Sequence, residues 1–220
     1  MFTRRNLITS IAAAGAAILT GQARSAETGT RDNRSKGGNY FPNCVLTTHQ
    51  GKRVHFYEDL IRDRLVAINM MFAQCDGICP TMTSNLQRVQ KLLGDRVGKD
   101  IFMYSITLLP EQDTPQRLNE YVEMHGVKPG WQFLTGARAD IESIRYKLGF
   151  YDLDPNVDKD PDWHTGMLRL GNDAYDRWIM TPALSEPEQI IASLLLLDRT
   201  HVGRVDPRPP RAVPTGAKHV

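Results

Sequence analysis

The stretch that most limits the fold is Leu65 to Phe72, an almost unbroken apolar run. It is followed directly by Cys75-Asp76-Gly77-Ile78-Cys79-Pro80 and then by apolar residues at helical spacing. A run of that length without polar alternation predicts a strand buried on both faces, which requires a sheet covered by helices on each side. Met82, Leu86, Val89 and Leu93 then recur at 3.6-residue spacing, Pro80 falls in the first turn where proline is tolerated, and Gly94 supplies a stop. The two cysteines therefore arrive where a buried strand hands over to a helix.

The remaining segments extend the same pattern. Cys44 to Thr48 and Arg53 to Phe56 predict a hairpin around His49-Gln50-Gly51-Lys52. Ile101 to Leu108 is a second buried strand. Thr114-Pro115 opens a helix to His125, with Leu118, Tyr121 and Val122 on one side. Trp131 to Leu134 is a short strand, and Ala139 to Leu148 is a helix with Ile141, Ile144 and Leu148 inward. Tyr151 to Asp162 is an acidic loop; Met167 to Leu170 and Tyr175 to Met180 pair across Gly171-Asn172-Asp173; Glu186 to Leu197 closes with an apolar helix. The order βαβαβ followed by ββα predicts an α/β sandwich of thioredoxin-like type, with a central mixed sheet flanked by helices and an N-terminal β-hairpin.

The ends differ from the middle. Residues 40–198 hold 16 Lys and Arg against 22 Asp and Glu, although the 220-residue chain as a whole carries +2. A mildly acidic folded part with basic ends gives no footing for nucleic-acid binding. Arg4 and Arg5, followed by Asn6-Leu7-Ile8 and the Ala-rich run Ile11 to Leu19, resemble a bacterial twin-arginine export signal. The run is too short to cross a membrane comfortably. The expected organisation is an export signal at 1–26, a flexible polar linker at 27–39, the folded domain at 40–198, and a disordered Pro/Arg-rich tail at 199–220. Export places the protein in the periplasm, where disulfides persist, with membrane association only if the signal is retained.

Cys75 and Cys79 carry the chemistry. At a helix N-terminus, unpaired N–H groups and partial positive charge favour thiolates, and thiolates either bind soft metals or attack disulfides. If the helix includes both, the four-residue step puts the sulfurs on one face, whereas Asp76-Gly77-Ile78 suggests a turn before the helix begins, with the site at its mouth. His164, in Asp162-Trp163-His164-Thr165-Gly166-Met167 at the lip of a strand, offers a third donor, although a lone loop histidine is by default a solvated side chain.

Together, Cys75-x-x-x-Cys79-Pro80, Asp113-Thr114-Pro115 and His164-Thr165-Gly166-Met167 resemble the Sco/SenC family of thioredoxin-fold copper proteins over about residues 40–198. The resemblance implies copper bound by Cys75, Cys79 and His164, and delivery to a copper-receiving protein such as cytochrome c oxidase subunit II. It implies a carrier rather than an enzyme. The rival is a thiol–disulfide oxidoreductase cycling Cys75 and Cys79. Against it, thioredoxins place a cis-proline before the strand facing their cysteines, where this chain has His164-Thr165 and, three residues earlier, Pro161.

Two departures stand out. Leu109 occupies the place of a family aspartate, and Cys44 is an additional cysteine, expected to be a small buried hydrophobe. Met70, Met71, Met82 and Met167 are expected in the core rather than on metal. Asp152, Asp154, Asn156 and Asp158 alternate like a calcium loop, but Val157 stands where its turn glycine belongs and Trp163 where its closing glutamate belongs, so that reading fails. Trp131 and Trp163 are large apolar residues without an assigned role.

Overall fold

The computed structural model describes residues 36–75, 77–164 and 166–198; the side chains of residues 36, 37, 162 and 164 lie outside that description. The export signal, the tail, and all of the linker but its last residues also lie outside it. Of the linker, Lys36–Asn39 forms a single 3-10 turn.

The core strand β3, Leu65–Met71, is buried at all seven positions. It pairs in parallel with β4, Ile101–Thr107, and β4 pairs in parallel with β5, Trp131–Gly136. A hairpin of β1, Val45–Thr48, and β2, Arg53–His55, adds antiparallel to β5. On the other side β6, Met167–Asn172, runs antiparallel to β3, and β7, Arg177–Pro182, completes the sheet. The order is β2-β1-β5-β4-β3-β6-β7. This mixed sheet with flanking helices is the thioredoxin-like sandwich that the sequence predicts.

Helix α1, Cys79–Leu93, lies over the face that carries Asn69, whose Nδ2 reaches Met82 Sδ at 3.8 Å. Helix α2, Pro115–His125, shares that face, with the rings of Tyr121 and Phe133 5.7 Å apart. Thr114 caps α2 by accepting from the Arg117 N–H, and Gly126 ends it in the left-handed conformation. Helix α3, Arg138–Leu148, covers the opposite face and buries Ile141, Ile144 and Leu148. The acidic loop contains the single turn α4, Pro155–Asp158, and a 3-10 turn, Pro161–His164. Helix α5, Pro187–Leu197, packs beside α1, whose Asn85 amide donates to the carbonyls of Ala183 and Ser185.

Several boundaries differ from the sequence expectation, among them the last strand, expected at Tyr175 to Met180 and found at Arg177–Pro182 after a 3-10 turn at Asp173–Tyr175. The strand expected to reach Phe56 stops at His55, and Phe56–Ile61 coils into a π-helical turn that buries Phe56, Tyr57, Leu60 and Ile61. Two apolar residues, two acidic and two apolar again is a helical rather than a strand period, and Asp59 reaches back to accept from the His55 N–H at 2.7 Å. β5 runs two residues further than expected, to Gly136, because Thr135 and Gly136 gain β1 as a partner. β6 also runs two residues further, to Asn172. That amide is buried against the Leu197 carbonyl, while Asp173 next to it accepts from the Tyr57 hydroxyl and the Asp63 N–H. Polar residues read locally as a turn become interior once distant partners satisfy them.

Candidate metal centre

The carboxyl ends of β3, β4 and β5 open on one edge of the sheet, and that edge is where a ligand site forms in folds of this kind. β3 leads through Phe72 and Ala73 to Cys75, and α1 starts at Cys79. Only Cys79 is therefore on the helix; Cys75 sits in the turn before it, the turn that Asp76-Gly77-Ile78 suggest, so the two do not share a helix face. Cys75 Sγ leans over Gly77, where a methyl group would stand 3.7 Å from it. Both cysteines are buried, Cys75 at 7% exposure and Cys79 at 0%, and they are thiols rather than a disulfide. Among the described residues no side chain caps α1, and its first turn holds no acidic residue. Its N-terminal field is thus left to act on the thiols.

The turn is braced from below. Asp113, 1% exposed, accepts from the Ala73 N–H at 3.0 Å and from the Thr107 hydroxyl, tying the exit of β3 to the end of β4. Asp113 belongs to the Asp-Thr-Pro triplet that opens α2, and the sequence pattern alone assigned it no such contact. Tyr121 of α2 also reaches the site. Its hydroxyl lies 2.8 Å from Thr83 Oγ1, one helical turn along α1 from Cys79. Burial pushes the Tyr121 phenol up to about 12; the Thr83 bond opposes this, while Cys79, Cys75 and Asp113 add to it. A neutral phenol therefore stands beside the thiol pair. Sequence spacing marks Tyr121 only as an apolar helix position, because its neighbours come from residues some forty positions away.

The segment carrying His164 returns to the same edge. Antiparallel pairing of Asn69 with Leu168 runs the chain before β6 back past the end of β3. Gly166, at φ +85°, passes so close to Ile78 that a β-carbon there would lie 3.1 Å from Ile78 Cδ1. His164 ends the 3-10 turn two residues earlier. The structure thus brings Gly166, two residues after His164, to the cysteine turn, while the His164 side chain lies outside the described residues. Among the described residues no group of three or more His, Cys, Asp or Glu side chains is placed to hold a metal.

The other sequence candidates separate clearly. Met70, Met71 and Met82 are fully buried core residues, and Met167 is half-buried against them. Trp131 is buried, with its indole N–H donating to Ser105 Oγ at 2.9 Å, whereas Trp163 is 68% exposed. Cys44 stands one residue before β1 at the same end of the sheet as Cys75, but three strands away, roughly 14 Å at normal strand spacing and beyond disulfide reach. Burial pushes its thiol up to about 11, with Asp140 adding to the effect. Leu109 is half-buried in the turn after β4 and lines a small cleft with Arg138, Arg145 and Pro161. A larger cleft, rimmed by Arg88, Lys91, Lys99 and Lys128, opens at the far end of α1, about 20 Å along the helix from Cys79.

Fold and site define a thioredoxin-like protein with a buried dithiol at a helix N-terminus. The family model described as SCO1/SenC matches residues 32–195, and the chain belongs to that family. The SCO1 protein homolog of Bacillus subtilis is 31% identical over 105 residues, covering 47% of this chain and 53% of the relative. A SCO2-like protein of Rickettsia prowazekii is 30% identical, covering 48% of this chain and 50% of its own length. The chain thus spans about half the length of the curated relatives it matches. Copper-bound yeast Sco1 superposes with a TM-score of 0.54 at 20% identity, covering 74% of this chain and 92% of that structure. At that identity the likeness is one of fold.

Proposed function

We propose that this protein is an exported, periplasmic copper metallochaperone that holds Cu(I) through the thiolates of Cys75 and Cys79 and the imidazole of His164. Copper is its cargo, passed to a partner protein such as subunit II of cytochrome c oxidase during assembly of that enzyme's copper centre. One observation carries the reading. Two buried thiols flank the start of one helix, Cys79 on its first turn and Cys75 in the turn before it, and Gly166, two residues after His164, passes that turn at Ile78. Thiolates and a neutral imidazole suit Cu(I), and a buried, largely apolar setting keeps water and oxidants from it. Loading requires both cysteines reduced and deprotonated, so their redox state gates uptake. The family relation and the copper-bound yeast relative support this reading. So does a lipoprotein of the same family from Bacillus anthracis, which superposes with a TM-score of 0.57 and fits an exported protein.

A second reading is favoured by the same pair of thiols, which stand four residues apart across a turn. The dithiol then reduces the cysteines of a copper-protein partner, cycling through a Cys75–Cys79 disulfide. Titration of the reduced protein with Cu(I) against a chromophoric chelator separates the two. The metallochaperone binds one equivalent tightly, and both His164→Ala and Cys79→Ser weaken it. If His164→Ala binds copper like the wild type while the dithiol readily reduces a protein disulfide, the oxidoreductase reading replaces the first.

A further inference from the structure

The segment that carries His164 has an anchor of its own. Residues 151–156, 159 and 160 are exposed surface, yet the Asp158 carboxylate between them is only 11% exposed and meets the guanidinium of Arg145, itself 4% exposed. Nη1 of Arg145 donates to Asp158 Oδ1 at 2.7 Å and Nη2 to Oδ2 at 2.9 Å, a two-pronged pair. The same guanidinium donates to Glu142 Oε2 and to the Phe150 carbonyl, and it lies 4.6 Å from the Tyr146 ring centroid. Asp158 in turn accepts from the Tyr146 hydroxyl at 2.8 Å and the Asp152 N–H at 2.9 Å.

A buried guanidinium beside Ile141, Ile144 and Leu148 is an expensive way to finish a helix face, since an apolar side chain would cover the sheet without desolvating a charge. What the charge accomplishes is visible downstream. From Asp158 the chain makes two hydrogen-bonded turns, Asp160 N–H to the Val157 carbonyl and Trp163 N–H to the Asp160 carbonyl, and reaches His164 six residues on. Beyond it, the Gly166 carbonyl accepts from the Ala183 N–H at 2.8 Å and β6 begins. His164 is therefore spanned by two fixed points: the sheet on one side and this ion pair on the other.

We infer that Arg145 and Asp158 are positioning residues for the metal centre: their pair holds the His164 segment against the Cys75–Cys79 turn without touching the metal. The inference rests on His164 being the third donor. It predicts a loss of binding that passes through His164 and nowhere else, which distinguishes it from a pair that only stabilises the fold.

Two variants of the full chain test it. Asp158→Asn keeps the size and removes the charge; Arg145→Lys keeps the charge and removes the fork. In the reduced, metal-free protein, amide hydrogen exchange at Asp160 and Trp163 speeds up by about tenfold or more in Asp158→Asn, while amides of α1 and β3 are unchanged. Competition titration shows Cu(I) affinity falling about tenfold in Asp158→Asn. Added to His164→Ala, the same substitution costs nothing more, and Arg145→Lys repeats this pattern in smaller measure. Unchanged exchange at Asp160 and Trp163 overturns the anchor, and an equal loss of affinity with and without His164 overturns its action through that residue. Failure of the copper reading itself shows earlier, in wild type against His164→Ala alone, and takes this inference with it.

Discussion

The thiol pair and the histidine-bearing segment meet at one edge of one sheet, yet they are fastened by different physics. Cys75 and Cys79 belong to a strand–turn–helix unit whose strand is wholly buried and whose turn is stitched to β4 by the interior carboxylate of Asp113. The segment before β6 is largely solvent-facing and is held by hydrogen bonds and one charge pair. Packing of the first kind gives way only when the domain unfolds, whereas polar tethers at a surface open locally at smaller cost. A site assembled from one rigid and one releasable half can hold an ion firmly and still let it go.

The sharpest break in that comparison comes from exchanging the proposed ligands. Cys79→Ser should lower Cu(I) affinity by more than about a hundredfold, beyond what loss of a supporting partner costs, and His164→Ala should cost less. Chelator competition on reduced protein reads both, and equal losses would mean the two halves are equally fixed. Next in size is Asp113→Ala, which takes their partner from the half-buried Ala73 N–H and the buried Thr107 hydroxyl. Urea unfolding should show about 3 kcal/mol of lost stability; a value below about 1 kcal/mol would mean the thiol turn is held by packing alone.

Acid should loosen the releasable half first. Arg145, with help from the Asp152 N–H and the Tyr146 hydroxyl, holds the Asp158 carboxyl far below the ordinary carboxylate range. A depressed folded value means that the pair contributes fully above the unfolded value near ~3.9, and that the contribution disappears as pH falls through the folded one. Melting temperature measured from pH 5 downward should therefore fall more steeply in wild type than in Asp158→Asn. Parallel curves would remove Asp158 from the acid response. The smallest effect is expected at Trp163→Ala: with the ring 68% exposed, stability should stay within about 0.5 kcal/mol. A larger loss would show this surface to be packed more firmly than its exposure indicates.

How much of this was legible beforehand follows from the range of each signal. β3, α1 and α2 were readable because their apolar spacing and their Pro80, Gly94, Thr114 and Gly126 punctuation are local. The cysteines were readable as a pair from their place between strand and helix, and so was the turn between them, which leaves only Cys79 on the helix and removes the alternative of a shared helix face. Asp113, Tyr121 and Arg145 were not readable as site residues. Their meaning depends on which strands and loops become neighbours, and an aspartate bonded to a backbone N–H forty residues away leaves no mark in its own window. The π-helical turn at Phe56–Ile61 was hidden for a different reason: its first residue completes a strand alternation before the helical period takes over.

Gly166 leaves one further consequence. Because a β-carbon there would stand 3.1 Å from Ile78 Cδ1, the clearance between the two passes of chain is set by a single methyl group. Ile78, flanked by the proposed ligands but not one of them, works as a shim. Shortening it stepwise to valine or alanine, or thickening the opposite side at Gly166, makes the gauge of the proposed metal centre adjustable in increments of one carbon atom, with every proposed donor left in place.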